Sequence, residues 1–247
     1  NENISYLDIM SMANGAIRPA GESYREDLFN GIYKDNGNKA LNEFLKPTLG
    51  YLVYQEQIID FLYEFCGFTM GQADVVRRHF AKKTGTENDI PIIKNGGYLI
   101  DNNGNKDPKY IKGFMVIAQE KYGMSEEEAE NTIQYFLRVI EDASNYLFSR
   151  NHALPYSMIG FFIGWLRYYY TIELLTAALN IYVENAEKSS NIKEYIKSKG
   201  IEIKDAKFGR SKAHYFMDKE ENAIYQGVGS IKFCNDTIGE ELYELSQ

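Results

Sequence analysis

Apolar residues recur at helical spacing through most of the first 200 residues of this 247-residue chain. The clearest stretch runs over residues 51–65, where one face is apolar and the other polar. Thr69 and Gln72 have the spacing of a capping box, in which side chains satisfy the free N–H groups of a helix start. Ser125 and Glu128 repeat that spacing. The pattern predicts a mainly α protein of many helices.

Two regions depart from helical spacing. Residues 84–108 are rich in Asn and Gly, which predicts a surface insertion with a β-hairpin near 95–105. After residue 200 apolar and polar residues alternate over short stretches, and two glycines follow a strand-like run. We therefore predict a helical domain over residues 1–200, and a small α+β C-terminal subregion over residues 201–247.

The net charge of the chain is −8, and a field of that sign repels a polyanion. A nucleotide or a nucleic acid would therefore need a local basic patch. Cys66 and Cys234 lie far apart, and no zinc-ligand spacing is present. We predict two free, buried thiols in a reducing compartment.

The start of the chain shows neither a basic flank nor a hydrophobic stretch, so no signal peptide is predicted. Because the sequence begins without Met and directly in a helical pattern, we expect a piece of a longer protein. The most apolar run, residues 154–166, is too short to span a membrane. We interpret it as a buried helix, with Trp165 as a core residue.

The densest positive cluster lies on one predicted helix. Arg78 and Lys82, four residues apart, share a face, and Lys83 follows. Arg77 lies at the edge of that face, three residues after Asp74, where an ion pair can form. A polyphosphate would relieve the repulsion between these cations, because guanidinium groups match phosphate oxygens in pairs. A solvated helix face near its C-terminus explains the same pattern.

A second polar constellation surrounds a predicted helix start, which Asn151 can cap. His152 and Tyr156, four residues apart, lie side by side on that helix. With Arg150 they could hold a base and a phosphate. A capped helix start with a half-buried His and Tyr is the alternative.

Two smaller features complete the set of candidates. Tyr54 and Gln57 are near neighbours on a helix, and Gln57 and Gln55 carry amides that can hydrogen-bond a partner or form a polar face. Arg18 precedes a proline, which gives a rigid turn carrying a cation.

Several catalytic motifs are missing from the sequence. It contains no GxxxxGK[ST] phosphate loop, no GxSxG elbow and no HExxH motif. It also contains no Asp-x-Asp pair, whereas two-metal nucleotidyl transfer needs several carboxylates on a rigid scaffold. We therefore predict no catalytic residue and no metal ligand in this chain.

Taken in order, the polar segments resemble the alpha subunit of bacterial DNA polymerase III, a family C replicative polymerase. Collinear blocks over residues of about 16 to 232 carry the resemblance, and together they are far more specific than any one of them. The blocks are Arg18-Pro19-Ala20-Gly21, Gly50–Gln57, Ala73–Arg78 with Lys82-Lys83, Phe148–Tyr156, Trp165-Leu166, Glu173–Leu179 and Gly227–Lys232.

The resemblance implies a fingers domain, which closes over the incoming deoxynucleoside triphosphate and helps to position the template of primer-template DNA. It implies that Arg77 and Arg78 face the triphosphate, with the two lysines after them close by. It further implies that His152 and Tyr156 line the nucleotide pocket. Arg18 and the block from Tyr54 to Gln57 belong either to that pocket or to the scaffold.

In this family the catalytic aspartates lie in the palm, N-terminal to these blocks. The resemblance thus implies part of a DNA-directed DNA polymerase, a nucleotidyltransferase whose Mg²⁺ ligands are not in this chain. We expect the chain alone to bind nucleotide weakly and to catalyse nothing. The implied partners are the palm domain and other replisome subunits, the implied location is cytoplasmic, and no membrane is involved.

The chain departs from the family pattern at several positions. Ala81 stands where the family usually has Gly, Ala153 where it has Ser, and Pro155 where it has a small residue. These changes predict a divergent pocket. Taken without the resemblance, the residues also fit a helical protein-interaction module, or a non-specific DNA-binding module that uses the same basic face.

Overall fold

The computed structural model describes residues 5–100, 103–143 and 147–247, except for the side chain of Ala20. The chain forms two compact units, Asn1–Met158 and Ile159–Gln247. Twelve α-helices and one small sheet lie in the described residues, which confirms the prediction of a mainly α fold with a small β-containing part.

The first unit is built from helices joined by short turns. Two 3₁₀ turns, at Pro19–Gly21 and Lys46–Thr48, interrupt its first third. Its α-helices are α1 Tyr6–Ala16, α2 Arg25–Phe29, α3 Lys39–Leu45, α4 Gln55–Cys66, α5 Met70–Lys82, α6 Thr86–Asn95, α7 Phe114–Tyr122, α8 Glu126–Ala143 and the beginning of α9 Arg150–Tyr169.

Both predicted capping boxes begin helices, as the Thr69 pair shows most fully. The Thr69 hydroxyl accepts the Gln72 N–H at 3.2 Å, and the Gln72 side-chain oxygen accepts the Thr69 N–H at 2.9 Å. The Ser125 hydroxyl accepts the Glu128 N–H at 3.1 Å. These contacts satisfy the free donors of the first turn, so they fix where α5 and α8 begin.

A cluster of aromatic side chains fills the core of the first unit. Phe61 of α4 is fully buried. Its ring centroid lies 5.2 Å from that of Phe65, 5.9 Å from that of Phe114 and 4.4 Å from that of Phe136. Each such side chain contributes on the order of 2 kcal/mol through burial. The cluster therefore holds α4 against α7 and α8.

A tight turn at Gly50 leads into α4. Its φ is +85°, and a Cβ built on it would lie 2.1 Å from the Lys34 carbonyl oxygen. Only glycine fits such an approach without strain. The turn sends residues 51–54 along a buried path, where Tyr54 forms a parallel β-bridge with Phe148. The beginning of α4 is thereby placed beside the segment that precedes α9.

The stretch predicted as a turn-rich insertion is partly helical. Residues 86–95 form α6, and Ile93 on this helix is fully buried in the aromatic core. The apolar residues at 90, 92 and 93 bind the segment to the core despite its Asn and Gly content. Beyond α6, antiparallel bridges pair Gly97 with Ile111 and Ile100 with Lys106. The predicted hairpin lies here, and its residues 101 and 102 fall outside the described residues.

The second unit combines helices with a three-stranded sheet. The strand order is β1-β3-β2, with β1 parallel and β2 antiparallel to β3. The unit starts well before residue 201 because two helices pack on the sheet and share its core. Its elements are the end of α9, α10 Thr171–Ile181, α11 Ala186–Ser198, β1 Glu202–Lys204, β2 Phe216–Asp218, β3 Ala223–Tyr225 and α12 Asp236–Glu244.

The apolar run at 154–166 is helical, but the prediction that it is buried was wrong. Every residue over 158–170 is exposed, and Trp165, expected in the core, has 44% of its surface exposed. Ala153 and Ser157 are the buried residues of α9. The apolar composition predicts that other residues pack against this helix, but it does not say which residues they are. In the described part of the chain, no helix is long and apolar enough to cross a bilayer.

Both cysteines are free, as predicted, but the prediction that both are buried was wrong for Cys234, which is partly exposed. Cys66 is fully buried in the core of the first unit, and burial raises the pKa of its thiol well above its usual value. A buried protonated thiol is unreactive. Cys66 is therefore a packing residue.

Candidate functional site

The two arginines of α5 share one carboxylate. Arg77 donates from Nε and from a terminal nitrogen to Oδ1 of Asp74, at 3.1 and 2.8 Å. Arg78 donates from Nε to Oδ2 at 3.0 Å and forms an ion pair with the same oxygen. Spacings of three and four residues along a helix bring these groups together. Hydrogen bonds from Arg78 and then from Arg77 hold the pKa of Asp74 below its usual value, so it is a carboxylate at neutral pH.

Gln55 connects this ion-pair group to the segment before α9. Its side-chain oxygen accepts a hydrogen bond from a terminal nitrogen of Arg77 at 3.1 Å. Its amide nitrogen donates to the Leu147 carbonyl at 2.8 Å, and its backbone N–H donates to the Phe148 carbonyl at 3.1 Å. The Arg77 side chain is thereby anchored at 17% exposure, whereas the Arg78 side chain is 57% exposed. Arg78 is the more accessible of the two.

A carboxylate from α4 occupies the N-terminus of α9. Glu56 accepts a hydrogen bond from the Ser149 hydroxyl at 2.6 Å and from the Arg150 backbone N–H at 2.9 Å. The prediction that Asn151 caps this helix was wrong, because α9 already begins at Arg150. A negative charge at this end is favoured by the helix dipole. The exposed side chain of Arg150 lies 3.7 Å from Asp8, at ion-pair distance.

Aromatic and cationic groups meet beside this helix start. The guanidinium of Arg18 lies 4.6 Å from the ring centroid of Phe148, a cation–π distance. The Phe148 ring lies 6.3 Å from the His152 ring. His152 and Tyr156 are both exposed, Tyr156 at 66%. Arg18 and His152, predicted from distant parts of the sequence, thus flank one aromatic ring.

Tyr54 and Gln57 make contacts within the scaffold. Tyr54 is buried and donates its hydroxyl to Ser11 at 2.8 Å, and burial raises the pKa of its phenol. The Gln57 oxygen accepts the backbone N–H groups of Val53 and Tyr54, and its amide nitrogen donates to Thr48 at 2.8 Å. These side chains hold the turn into α4 and so position Gln55.

The C-terminal end of α5 carries the two lysines, and both are exposed. Lys83 ends the helix in the left-handed conformation, with φ +53°. One turn earlier, Nδ1 of His79 lies 2.6 Å from Asp89 of α6. Asp89 is buried, and burial raises the pKa of its carboxyl. This contact fixes the helix end from which Lys82 and Lys83 project.

The first unit therefore brings together the basic cluster, Gln55 and the start of α9. Sequence reasoning recognised the Asp74–Arg77 spacing, but it missed that Asp74 also holds Arg78. It gave no role to Glu56, because the partners of this carboxylate, Ser149 and Arg150, lie more than 90 residues away in sequence. It gave none to Phe148, because the cation that contacts its ring belongs to a separate block. Among the described residues, no group of three or more His, Cys, Asp or Glu could hold a metal ion.

Part of the first unit is similar in sequence to a known protein family. Residues 25–90, which contain Gln55, Asp74 and both arginines of α5, match the family of the bacterial DNA polymerase III alpha subunit finger domain. These residues are thus similar to a fingers region of the kind found in bacterial replicative polymerases.

More particularly, the chain is similar over most of its length to proteins named DNA polymerase III subunit alpha. The protein of that name from Campylobacter jejuni is 26% identical over 213 residues, which is 84% of this chain and 16% of the relative. The Vibrio cholerae protein is 24% identical over 195 residues, 79% of this chain and 15% of the relative. The Halalkalibacterium halodurans protein is 24% identical over 220 residues, 87% of this chain and 18% of the relative. The chain spans less than a fifth of the length of these relatives.

Proposed function

We propose that this chain is the fingers part of a DNA-directed DNA polymerase and that it binds the triphosphate of an incoming deoxynucleotide. Arg78, Arg77, Lys82 and Lys83 supply the positive charge. His152, Tyr156 and Arg150, on the first turns of α9, line the nucleotide side of the site. The proposal extends to positioning of the template and to a cytoplasmic location with the other replisome subunits.

One observation carries the proposal: two guanidinium groups are held on one carboxylate within the family match. One negative charge facing two positive charges leaves an excess cation. Arg78 is also exposed enough to turn its remaining donors toward an anion. The hydrogen bond to Gln55 keeps the guanidinium of Arg77 in place, so little side-chain entropy is lost when a phosphate binds.

In the intact polymerase, the palm would supply the metal-binding carboxylates and Mg²⁺ would neutralise charge on the phosphates. The residues of this chain would bind the triphosphate, orient it and cover it. Nucleotidyl transfer is then mostly a matter of positioning and electrostatic stabilisation. A fingers region that only binds and orients would by itself catalyse nothing.

The proposal is tested by a ligand-observed NMR titration of the chain with a deoxynucleoside triphosphate, with and without the double substitution of Arg77→Ala and Arg78→Ala. We expect weak saturation transfer to the nucleotide in the wild type. The double variant, shown to be folded by circular dichroism, should lose it. Each lost charge-assisted contact should weaken binding by about tenfold.

A matched control is the substitution of Lys112→Ala. Lys112 is exposed like Arg78 and is also ion-paired, to Glu120 at 2.9 Å, but it lies outside the site. It should leave saturation transfer unchanged. Equal loss in the control and in the double variant would refute a specific site on α5. Binding that inorganic tripolyphosphate, heparin and the nucleotide share equally would favour a general polyanion surface instead.

A further inference from the structure

His79 joins the end of α5 to the next helix through a buried carboxylate. Its Nδ1 lies 2.6 Å from Oδ2 of Asp89 on α6. The Asp89 side chain is 5% exposed, and that of His79 is 32% exposed. Among the described residues, no other side chain pairs with the Asp89 carboxyl. A buried carboxylate needs such a partner, because an unpaired charge is strongly disfavoured away from water.

The backbone between α5 and α6 is built around this contact. Three residues connect the two helices. Two of them, Lys83 and Gly85, have left-handed backbones, with φ +53° and +81°. The Thr84 N–H donates to the His79 carbonyl at 3.1 Å. The Asp89 N–H donates to the Gly85 carbonyl at 3.3 Å. The turn is therefore tied to the same two residues whose side chains meet.

The two helices are also anchored in the core independently of this contact. Phe80 of α5 and Ile93 of α6 are buried in the same apolar cluster. Loss of the His79 contact should therefore leave the helices in place and change the turn between them. Lys82 is the last residue of α5, Lys83 follows it, and both side chains are exposed. The contact thus acts mainly on the segment that carries these two cations.

The charge of the pair changes with pH, because a histidine gains or loses a proton between about pH 5 and 8. Burial raises the pKa of the Asp89 carboxyl, the hydrogen bond with His79 opposes this effect, and Glu87 on the same helix adds to it. In the described part of the chain, no charged group of α4, which also packs against α5, acts on this carboxyl. While Asp89 is ionised, the pair is neutral with a protonated imidazole and negative with a neutral one. The charged residues nearest to His79 along α5 are Arg78, Lys82 and Lys83.

We propose that His79 is a positioning residue for the triphosphate: through Asp89 it sets the turn from which Lys82 and Lys83 reach the phosphates. A protonated imidazole also keeps the pair neutral, so the two lysines face the ligand without a net negative charge beside them. Triphosphate should therefore bind more tightly as His79 gains its proton. This inference rests on the function proposed above, and it concerns a histidine that lies outside the blocks of the family resemblance.

The test is the pH dependence of triphosphate affinity, measured by the same NMR titration between about pH 6 and 8. His79→Asn keeps an N–H donor near the position of Nδ1 but cannot gain a proton. As pH falls across this range, the affinity of the wild type should rise roughly threefold more than that of the variant, as expected for one unit of charge about 10 Å from the phosphates. The nucleotide and His152 are the same in both proteins, so the difference between the two profiles reports His79.

His214→Asn is the matched control. Nε2 of His214 also lies near a carboxylate, 3.8 Å from Asp236, but in the second unit. This variant should keep the wild-type pH profile. A loss of the extra affinity at low pH in both histidine variants would overturn the proposal, because it would show that the effect is not specific to α5.

A second readout uses the chain without nucleotide. The backbone amide resonances of Lys82 and Lys83 should shift with pH together with the His79 ring, and these shifts should be smaller in Asp89→Asn. Lysine amides that do not follow the His79 ring would overturn the proposal. So would a His79→Asn variant that binds triphosphate more weakly by the same factor at every pH, or as well as the wild type throughout, although the triphosphate site would then stand. Absence of nucleotide binding by the wild type would refute the proposed function, and this role with it.

Discussion

The substitution of Asp74→Asn separates what this carboxylate does for stability from what it does for binding. Asparagine keeps the size of the side chain and one acceptor oxygen, but it removes the charge that Arg77 and Arg78 share. The pair with Arg78 is largely exposed, so its loss costs roughly 0.3–0.5 kcal/mol. The Arg77 pair is 17% exposed on the arginine side and contributes more. We expect the free energy of unfolding of the first unit to fall by about 1 kcal/mol.

Triphosphate affinity should move in the opposite direction. In the wild type the carboxylate competes with phosphate oxygens for the same guanidinium donors. Because the variant lacks that competing charge, we expect the free energy of triphosphate binding to become more favourable by about 1 kcal/mol. This corresponds to roughly fivefold tighter binding. The assay is the same NMR titration, paired with urea unfolding. Glu43→Gln, which removes a carboxylate from the exposed pair with Lys46, is the control and should change neither quantity.

The effect on stability should also depend on pH. The pKa of Asp74 is lowered in the folded chain, so its contribution is present above the ordinary value of 3.8 and is lost as pH falls through the folded value. The difference between wild type and variant should therefore shrink below pH 3.8.

Weaker or unchanged triphosphate binding in Asp74→Asn would refute the reasoning, because it would show that the carboxylate does not compete for the arginines.

Three further predictions test the fold. Gly50→Ala should destabilise the first unit by about 2 kcal/mol or more in urea unfolding, because φ is +85° and the new Cβ would meet the Lys34 carbonyl oxygen at 2.1 Å. Phe61→Ala should cost about 3–5 kcal/mol by the same assay, because it opens a cavity among four packed rings; a loss below about 1 kcal/mol would contradict the packing described. The pKa of Glu221 is lowered to about 2, with the Lys204 hydrogen bond as the largest cause. Its contribution to the second unit should be complete above pH 4.5 and lost toward pH 2, and Glu221→Gln should flatten that part of the stability profile followed by Trp165 fluorescence.

The sequence predicted the helices well where local chemistry decides them. The capping boxes at Thr69 and Ser125 are formed by side chains within one turn, and three-residue spacing is enough to recognise them. The Asp74–Arg77 contact is local in the same sense. The helix at 86–95 was missed because Asn and Gly indicate turns, whereas burial of Ile93 against distant residues decides the outcome.

The site itself depends on contacts that no local pattern encodes. Gln55 reaches Leu147 across 92 residues, and Glu56 caps a helix that begins 94 residues later. The resemblance to a family implied that His152 and Tyr156 lie near the arginines of α5, but it left the role of the block from Tyr54 to Gln57 open. The exposure of α9 was missed for a different reason. An apolar pattern indicates that burial of the helix is favourable, but it does not say whether residues of the same chain pack against it.

The central claim is that the guanidinium groups of Arg77 and Arg78 meet the triphosphate. The most direct measurement is a ¹H–¹⁵N spectrum of the arginine Nε–H groups, recorded while a deoxynucleoside triphosphate is added and assigned with single Arg→Lys variants. We predict that the Arg78 resonance shifts most and the Arg77 resonance shifts with the same apparent affinity. The resonance of Arg210, which is ion-paired to Asp218 and Glu221 in the second unit, should not shift. Nucleotide binding that leaves the Arg77 and Arg78 resonances unshifted would contradict the account.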